Sequence, residues 1–258
     1  MTWATRRKLQ YLSGFFGVIL VILFIFLYPV LFKKPTCTDT KKNGDETGID
    51  CGGSCSLMCK ESVSEPVILW SRAFHVVANT YNLVAFIENQ NKNSGVENIP
   101  YEFRVYDENN RLLGRKKGTT FIPPNKQFAV FEARFDSGES KVKSVSFEFL
   151  PPYVWIKKEP TLNSLPVFVD NIVMGEDLKN PSLTARIKNE SVQDLPPFEA
   201  IAILYDAEGN AINVSKTIKP GLASGENLQV FFTWPEPLIS EPVVKDVLIE
   251  INPFTVSF

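Results

Sequence analysis

Apolar residues fall along the chain in two regimes. From Leu12 to Phe32 the sequence reads LSGFFGVILVILFIFLYPVLF, with no charged residue between Lys8 and Lys33. Rising about 1.5 Å per residue, such a helix spans roughly 30 Å, the hydrocarbon thickness of a bilayer. The pattern therefore predicts a transmembrane helix over 12–32, preceded by a tail at 1–11. A cleaved signal peptide has a shorter apolar stretch followed by small residues. Here Tyr28, Pro29 and Phe32 lead into Lys33, Lys34 and Pro35, so an uncleaved anchor is expected. Beyond residue 63 the period becomes two. Leu183, Ala185 and Ile187 alternate with Thr184, Arg186 and Lys188, and Val145, Phe147 and Phe149 with Ser144, Ser146 and Glu148. Each such segment is predicted to bury one face and wet the other, as strands of antiparallel sheets do.

The strand pattern occurs twice. Pro66-Val67 returns as Pro166-Val167, and Leu83-Val-Ala-Phe-Ile-Glu-Asn89 as Leu183-Thr-Ala-Arg-Ile-Lys-Asn189. Val105-Tyr106-Asp107 then matches Leu204-Tyr205-Asp206, Val130-Phe131 matches Val230-Phe231, and 145–149 matches 247–251. Matches in one order at near-constant offset mean a tandem duplication. Turn chemistry at Asp107–Asn110, Asp206–Asn210, Pro123-Pro-Asn125, Ser137-Gly138 and Ser224-Gly225 separates the strands. About six or seven short strands per hundred residues, with no helical period, predict immunoglobulin-like antiparallel β-sandwiches at 63–158 and 159–258. The expected fold is thus mainly β, with one N-terminal helix and a small disulfide-rich segment at 33–62. Four prolines from Leu150 to Pro166 make the junction stiff. There Pro151 and Val154 match Pro253 and Val256, and Tyr153 and Trp155 are expected to pack.

Composition narrows the function classes. With 27 Lys+Arg against 29 Asp+Glu, the chain lacks the basic surface that phosphate neutralisation needs, so nucleic acid is not an expected partner. A single histidine, His75, argues against histidine-rich metal centres and is expected to be a surface or hydrogen-bonded residue. Arg6, Arg7 and Lys8 oppose only Lys33 and Lys34 across the helix, so charge decides orientation by one residue. Four clustered cysteines, an oxidising-compartment feature, break the tie: N-terminus in the cytoplasm, the rest outside. The outer part carries 24 basic residues against 29 acidic ones.

Cys37, Cys51, Cys55 and Cys59 lie in a polar stretch too small to build a core, so two disulfides are expected, with three pairings open. Asp39, Asn43, Asp45, Glu46 and Asp50 offer hard oxygens to calcium, although their spacing is not that of an EF-hand loop; turns between the bridges are the simpler role. Zinc on the four cysteines is a weaker alternative. The run Asn43-Gly44-x-Glu46 followed by Asp50-Cys51-Gly52-Gly53-x-Cys55 resembles a short cysteine motif that recurs in secreted and cell-surface proteins. It departs at the end, where three residues instead of two separate Cys55 and Cys59. At Phe103-Arg-Val-Tyr106-Asp107 and Ile203-Leu-Tyr205-Asp206 the chain resembles the FxLYD family of small β-sandwich domains found in exported and membrane-anchored prokaryotic proteins. The physical role of each Tyr-Asp pair, Tyr106-Asp107 and Tyr205-Asp206, is to end a strand and open a turn.

No P-loop, GxSxG elbow or HExxH is present, so no catalytic residue is assigned and no cofactor is expected. Asn189-Glu-Ser191 and Asn213-Val-Ser215 fit the glycosylation pattern. The expectation is a single-pass membrane protein displaying a binding or scaffold module outside the cell. Its partners would be the bilayer through 12–32 and an envelope or extracellular protein. The alternatives are an accessory subunit of an envelope secretion or surface-appendage machine, and an envelope hydrolase using carboxylates.

Overall fold

The computed structural model describes residues 3–31, 35–158, 166–238 and 241–255. Phe32, Lys33, Lys34, the central junction 159–165, Val256 and the C-terminal Phe258 lie outside them. By contact the chain divides into two units, Met1–Ser54 and Cys55–Phe258. In the first, α1 (Trp3–Leu31) runs with no acidic residue in its first turn and holds a stretch, Thr5–Tyr28, long and apolar enough to cross a membrane. Its Phe and Leu side chains among the described residues are exposed.

Apart from a short 3-10 turn at Lys60–Ser62, the regular structure of the second unit is antiparallel β. The first sandwich is built from β1 (Val67–Val77), β2 (Thr80–Asn89), β3 (Ser94–Asp107), β4 (Leu112–Ile122), β5 (Lys126–Asp136), β6 (Val142–Phe149) and the short β7 (Ile156–Lys157). The second is built from β8 (Val167–Met174), β9 (Ser182–Asn189), β10 (Phe198–Tyr205), β11 (Ala211–Lys219), β12 (Asn227–Thr233) and β13 (Val244–Glu250). Sheets run in the orders β1-β2-β5 and β4-β3-β6 in the first copy, and β8-β9-β12 and β11-β10-β13 in the second. The order is the same in both copies, as the duplication requires.

Three apolar cores follow from strand parity. Leu83, Ala85 and Ile87 of β2 meet Phe103 and Val105 of β3 in the first core, which Trp155 completes. Leu183, Ala185 and Ile187 of β9 meet Ala202 and Leu204 of β10 in the second. The third joins the two sandwiches: Phe74, Val84, Phe86, Ala129 and Phe131 pack with Ile201, Ile203, Ala211 and Val214. Here the alternation expected from sequence gives way. Leu83–Ile87 and Ala200–Leu204 are buried without a break, because β2 and β10 each lie between two cores. The unbroken apolar runs LVAFI and AIAIL are the sequence signature of that position.

The seam joins unlike faces, the β1-β2-β5 face of one copy and the β11-β10-β13 face of the other. Each copy therefore has a counterpart face left free, and several of the duplicate residues there are polar, although Phe168, Val173 and Phe231 stay exposed on the second copy's. Ile201 and Ile203 correspond to Glu102 and Arg104, Val84 and Phe86 to Thr184 and Arg186, and Ala129 to Gln229. Trp70, paired with Phe86, corresponds to Asp170, paired with Arg186. On the free face of β3, Glu102 accepts from Arg104 at 2.6 Å, with Lys117 at 3.3 Å and Arg115 at 3.6 Å, and Arg104 also holds Glu148. Burial works to raise the Glu102 carboxyl; these cations outweigh it and leave it below the ordinary value. On the free face of β8-β9-β12, Asp170 pairs with Arg186 at 2.7 Å and Lys188 at 2.5 Å. A heterologous contact repeats indefinitely unless its ends are capped; the self-neutralised charge on the two outer faces caps this one.

Two outcomes follow. Phe131→Ala removes a seam side chain and is expected to cost about 2–4 kcal/mol in chemical denaturation. The pair Glu102→Ile with Arg104→Ile restores on the free face what Ile201 and Ile203 present at the seam, and is expected to give concentration-dependent self-association by sedimentation, absent from the unaltered chain.

Candidate functional site

The cysteine segment is ordered by its carboxylates. Asp50 accepts the backbone N–H groups of Asp39 and Thr40 at 2.9 Å each, Asp39 accepts from Lys41 N–H at 3.0 Å and Asn43 Nδ2 at 2.7 Å, and Asp45 accepts the Ser54 hydroxyl at 2.7 Å. Glu46, nearly buried, accepts the Asn43 and Asp50 N–H groups. The hydrogen bond from Asn43 draws the Asp39 carboxyl below its usual value. The five oxygen-bearing residues named as calcium candidates thus lie in one hydrogen-bonded segment, in which Asp39, Asp45, Glu46 and Asp50 accept from the chain's own N–H and hydroxyl groups and Asn43 donates. Asn43 Oδ1 is buried and makes no hydrogen bond. All four cysteines are disulfide-bonded, which excludes the zinc alternative because zinc needs their thiolates.

The Tyr-Asp pairs sit at equivalent corners, closing β3 and β10. Asp107 is buried and accepts from the N–H groups of Asn109 and Arg111 and from Arg111 Nε, each at 2.8 Å. Asp206 accepts Asn210 N–H at 2.6 Å and Asn210 Nδ2 at 3.1 Å. The backbone N–H of Arg111 and of Asn210, respectively, is the main cause holding each carboxyl below the ordinary Asp range. Tyr205 packs against the seam, and burial raises its hydroxyl.

A second duplicated residue, matched in sequence but given no structural role there, does comparable work. Asn89 is buried at the end of β2, its amide donating to Ser94 O at 2.9 Å and Pro123 O at 2.8 Å. Asn189, its partner in the second copy, donates to Gln193 O, Leu222 O and Ala223 O. The glycosylation reading of Asn189 is therefore corrected: its side chain is 1% exposed and its amide nitrogen is committed to three carbonyls. The recurrence of Asn at one offset, at the end of each matched strand, was the available signal. Trp155, expected to pack at the domain junction, instead lies 5% exposed in the first core. Tyr153 donates to Glu65 at 2.5 Å.

Around the apolar seam stand charged fastenings. Glu250 of β13 is buried against the first sandwich, accepting Ala129 N–H at 3.1 Å with Lys126 at 3.3 Å; burial raises its carboxyl despite both partners. Lys216 pairs with Glu199 at 2.8 Å and sits 5.1 Å above the Phe131 ring. Arg72 donates to Ala211 O at 3.0 Å. His75 of β1 bridges to the second sandwich, with Nδ1 2.8 Å from Glu236 and Nε2 2.5 Å from Ala78 O. Both partners are acceptors, so this geometry is that of an imidazolium. The Ala78 carbonyl, then Glu236, raises the His75 pKa.

Several hollows open along the seam, two of them lined in part by β13. One, about 480 Å³, is lined by Tyr101, Glu132, Glu199, Lys216 and Glu250 among others. Its carboxylates are partnered: Glu132 accepts the Tyr101 hydroxyl at 2.7 Å, Glu199 holds Lys216 and Glu250 holds Lys126. The other, about 340 Å³, is apolar and lies between β8 and β13. Neither is lined by a histidine; a further hollow on the seam, about 260 Å³, is lined by His75, Glu236 and Lys216 among others.

No protein-family model matches the sequence, and no curated protein matches it. Among solved structures the chain is similar to red sea bream transglutaminase, at 10% identity and a TM-score of 0.22, over 72% of this chain and 31% of that one. It is also similar to a Bacteroides uniformis β-glucuronidase, at 14% identity and 0.20, over 63% and 22%, and to dimeric latent PorU from Porphyromonas gingivalis, at 12% and 0.21, over 74% and 20%. The chain spans less than a third of the length of each.

The hydrogen-bonded carboxylates and His75 predict a two-sided pH dependence. The lowered Asp107, Asp206 and Asp170, the last to about 2, contribute stability above the unfolded value near 4 that is lost as pH falls toward 2. His75, raised, contributes below about 6.5 and its contribution is lost as pH rises through its folded value. In an NMR titration the lone imidazole is expected to titrate above 6.5, and Glu236→Gln to move it downward; an unmoved titration would place Glu236 away from His75 in solution.

Proposed function

We propose that this is a single-pass membrane protein, N-terminus in the cytoplasm, whose disulfide segment and two FxLYD-like, immunoglobulin-like sandwiches form a non-catalytic binding or scaffold module outside the cell. The observation that carries this reading is the pairing of an exposed apolar helix with a two-sandwich body fused by an apolar seam. A helix of this length and composition fixes position at the bilayer. A seam of nine buried apolar residues holds both sandwiches in one orientation, which a display module needs and which flexible tethering would not provide. Disulfides agree with an oxidising compartment outside the membrane. Recognition is non-covalent, through sheet edges and loops.

The accessory-subunit alternative assigns α1 a partner helix. Gly14 and Gly17 are three apart, short of the GxxxG spacing that brings two helices close.

Replacing residues 3–31 by an unrelated membrane-spanning helix is expected to preserve partner capture by intact cells. Loss of capture with normal folding and surface exposure would favour the machine subunit. In the same cells, reduction followed by a membrane-impermeant maleimide is expected to label all four cysteines; labelling only after permeabilisation would reverse the orientation.

A further inference from the structure

The apolar hollow lies between β8 and β13 of the second sandwich. Both strands are terminal in their sheets, so each presents an edge with no strand partner among the described residues. Val167 and Val169 line the hollow from β8, and Val247 and Ile249 from β13, over the second core. Pro124 and Lys126 of the first sandwich form its lip, which makes it continuous with the seam.

In the first copy the equivalent strands, β1 and β6, close on each other: the Ser71 hydroxyl reaches across to Val145 O at 2.8 Å. That copy also accepts an extended segment. Met58 N–H donates to Trp155 O at 3.0 Å and Lys157 N–H to Ser56 O at 2.6 Å, forming a ribbon that sets Met58 against the first core beside the buried Trp155. In the second copy the β13 edge is already engaged at Ile249, whose carbonyl accepts Lys126 Nζ at 2.6 Å. Of the two edges flanking the groove, that of β8 is the one without such a contact among the described residues.

We propose that this groove is a strand-acceptor site. An extended segment of a partner protein, apolar at alternate positions and acidic where it meets Lys126, adds to the open edge of β8. The proposal rests on the reading of the body as a binding module and names the site. A strand edge demands N–H and C=O partners in register, which an extended polypeptide supplies. The period-two side chains of such a segment place every second residue onto Val167, Val169 and Ile249. Lys126, with 42% of its side chain exposed, has room for a carboxylate beyond Glu250.

The test uses the full-length chain in detergent micelles and a fluorescein-labelled decapeptide of alternating valine and threonine ending in aspartate. Saturable binding is expected, weakened about ten-fold or more by Val169→Asp and several-fold by Lys126→Gln. Should Val169→Asp lose its second sandwich, hydrogen exchange on the unaltered chain decides: the peptide is expected to slow amides of 167–170 and leave those of β1 unchanged. Absence of binding, binding indifferent to both substitutions, or protection elsewhere would overturn the site. Cross-linking of the chain's own 159–165 or 256–258 into the groove would also overturn it. If intact cells capture a partner equally well with Val169→Asp, the groove fails while the module reading stands. If the peptide binds as expected but cells capture nothing, the reverse holds.

Discussion

The seam between the two sandwiches is the contact on which the rest depends. It fuses two domains that a proline-rich junction would otherwise only string together, and it does so by burying the second face of a sheet from each copy. An inter-domain contact built of Phe, Val, Ile and Ala, with Trp70 against its side, is of the hydrophobic kind that suppresses relative motion. The charged groups at its margin have a different part. Glu250, Lys216, Arg72 and His75 reach across to carbonyls, N–H groups or opposite charges, fixing the register in which the apolar faces meet. Buried polar partners of this sort add specificity more than net stability.

The duplication explains how one fold produces both a sticky and a capped surface. The two copies share strand order, the Tyr-Asp corner and the buried Asn, so divergence is concentrated on the outward faces. Substituting Glu102 and Arg104 for the Ile201 and Ile203 type leaves the strand intact, since only the outward side chains change. Phe231 keeps the identity of Phe131 yet is 60% exposed, a remnant of the shared face that lies beyond the Asp170, Arg186 and Lys188 cluster.

Much of this was legible in the sequence, and the limits have physical causes. The apolar span at 12–32 announced the helix, and period two with the offset matches announced paired sandwiches. The seam was encoded too, in the unbroken runs at Leu83–Ile87 and Ala200–Leu204. An uninterrupted apolar strand says that both faces are covered but not by what, because the covering sheet is distant in sequence. The same distance hid the partnership of His75 with Glu236, 161 residues apart. The cysteine segment was readable as disulfide-held but not in its internal hydrogen bonds, because Asp and Asn side chains serve turns and ions with the same oxygens. The role of Asn189 was obscured by a motif that reports sequence without burial.

Native-state hydrogen exchange on the full chain in micelles tests the seam most directly. If the two sandwiches are one body, the slowest amides of β2 and β10 exchange through a common opening, with matching protection and matching loss on adding denaturant. Protection of β2 that persists after β10 has fully exchanged, or the reverse, would show two independent domains and contradict the account.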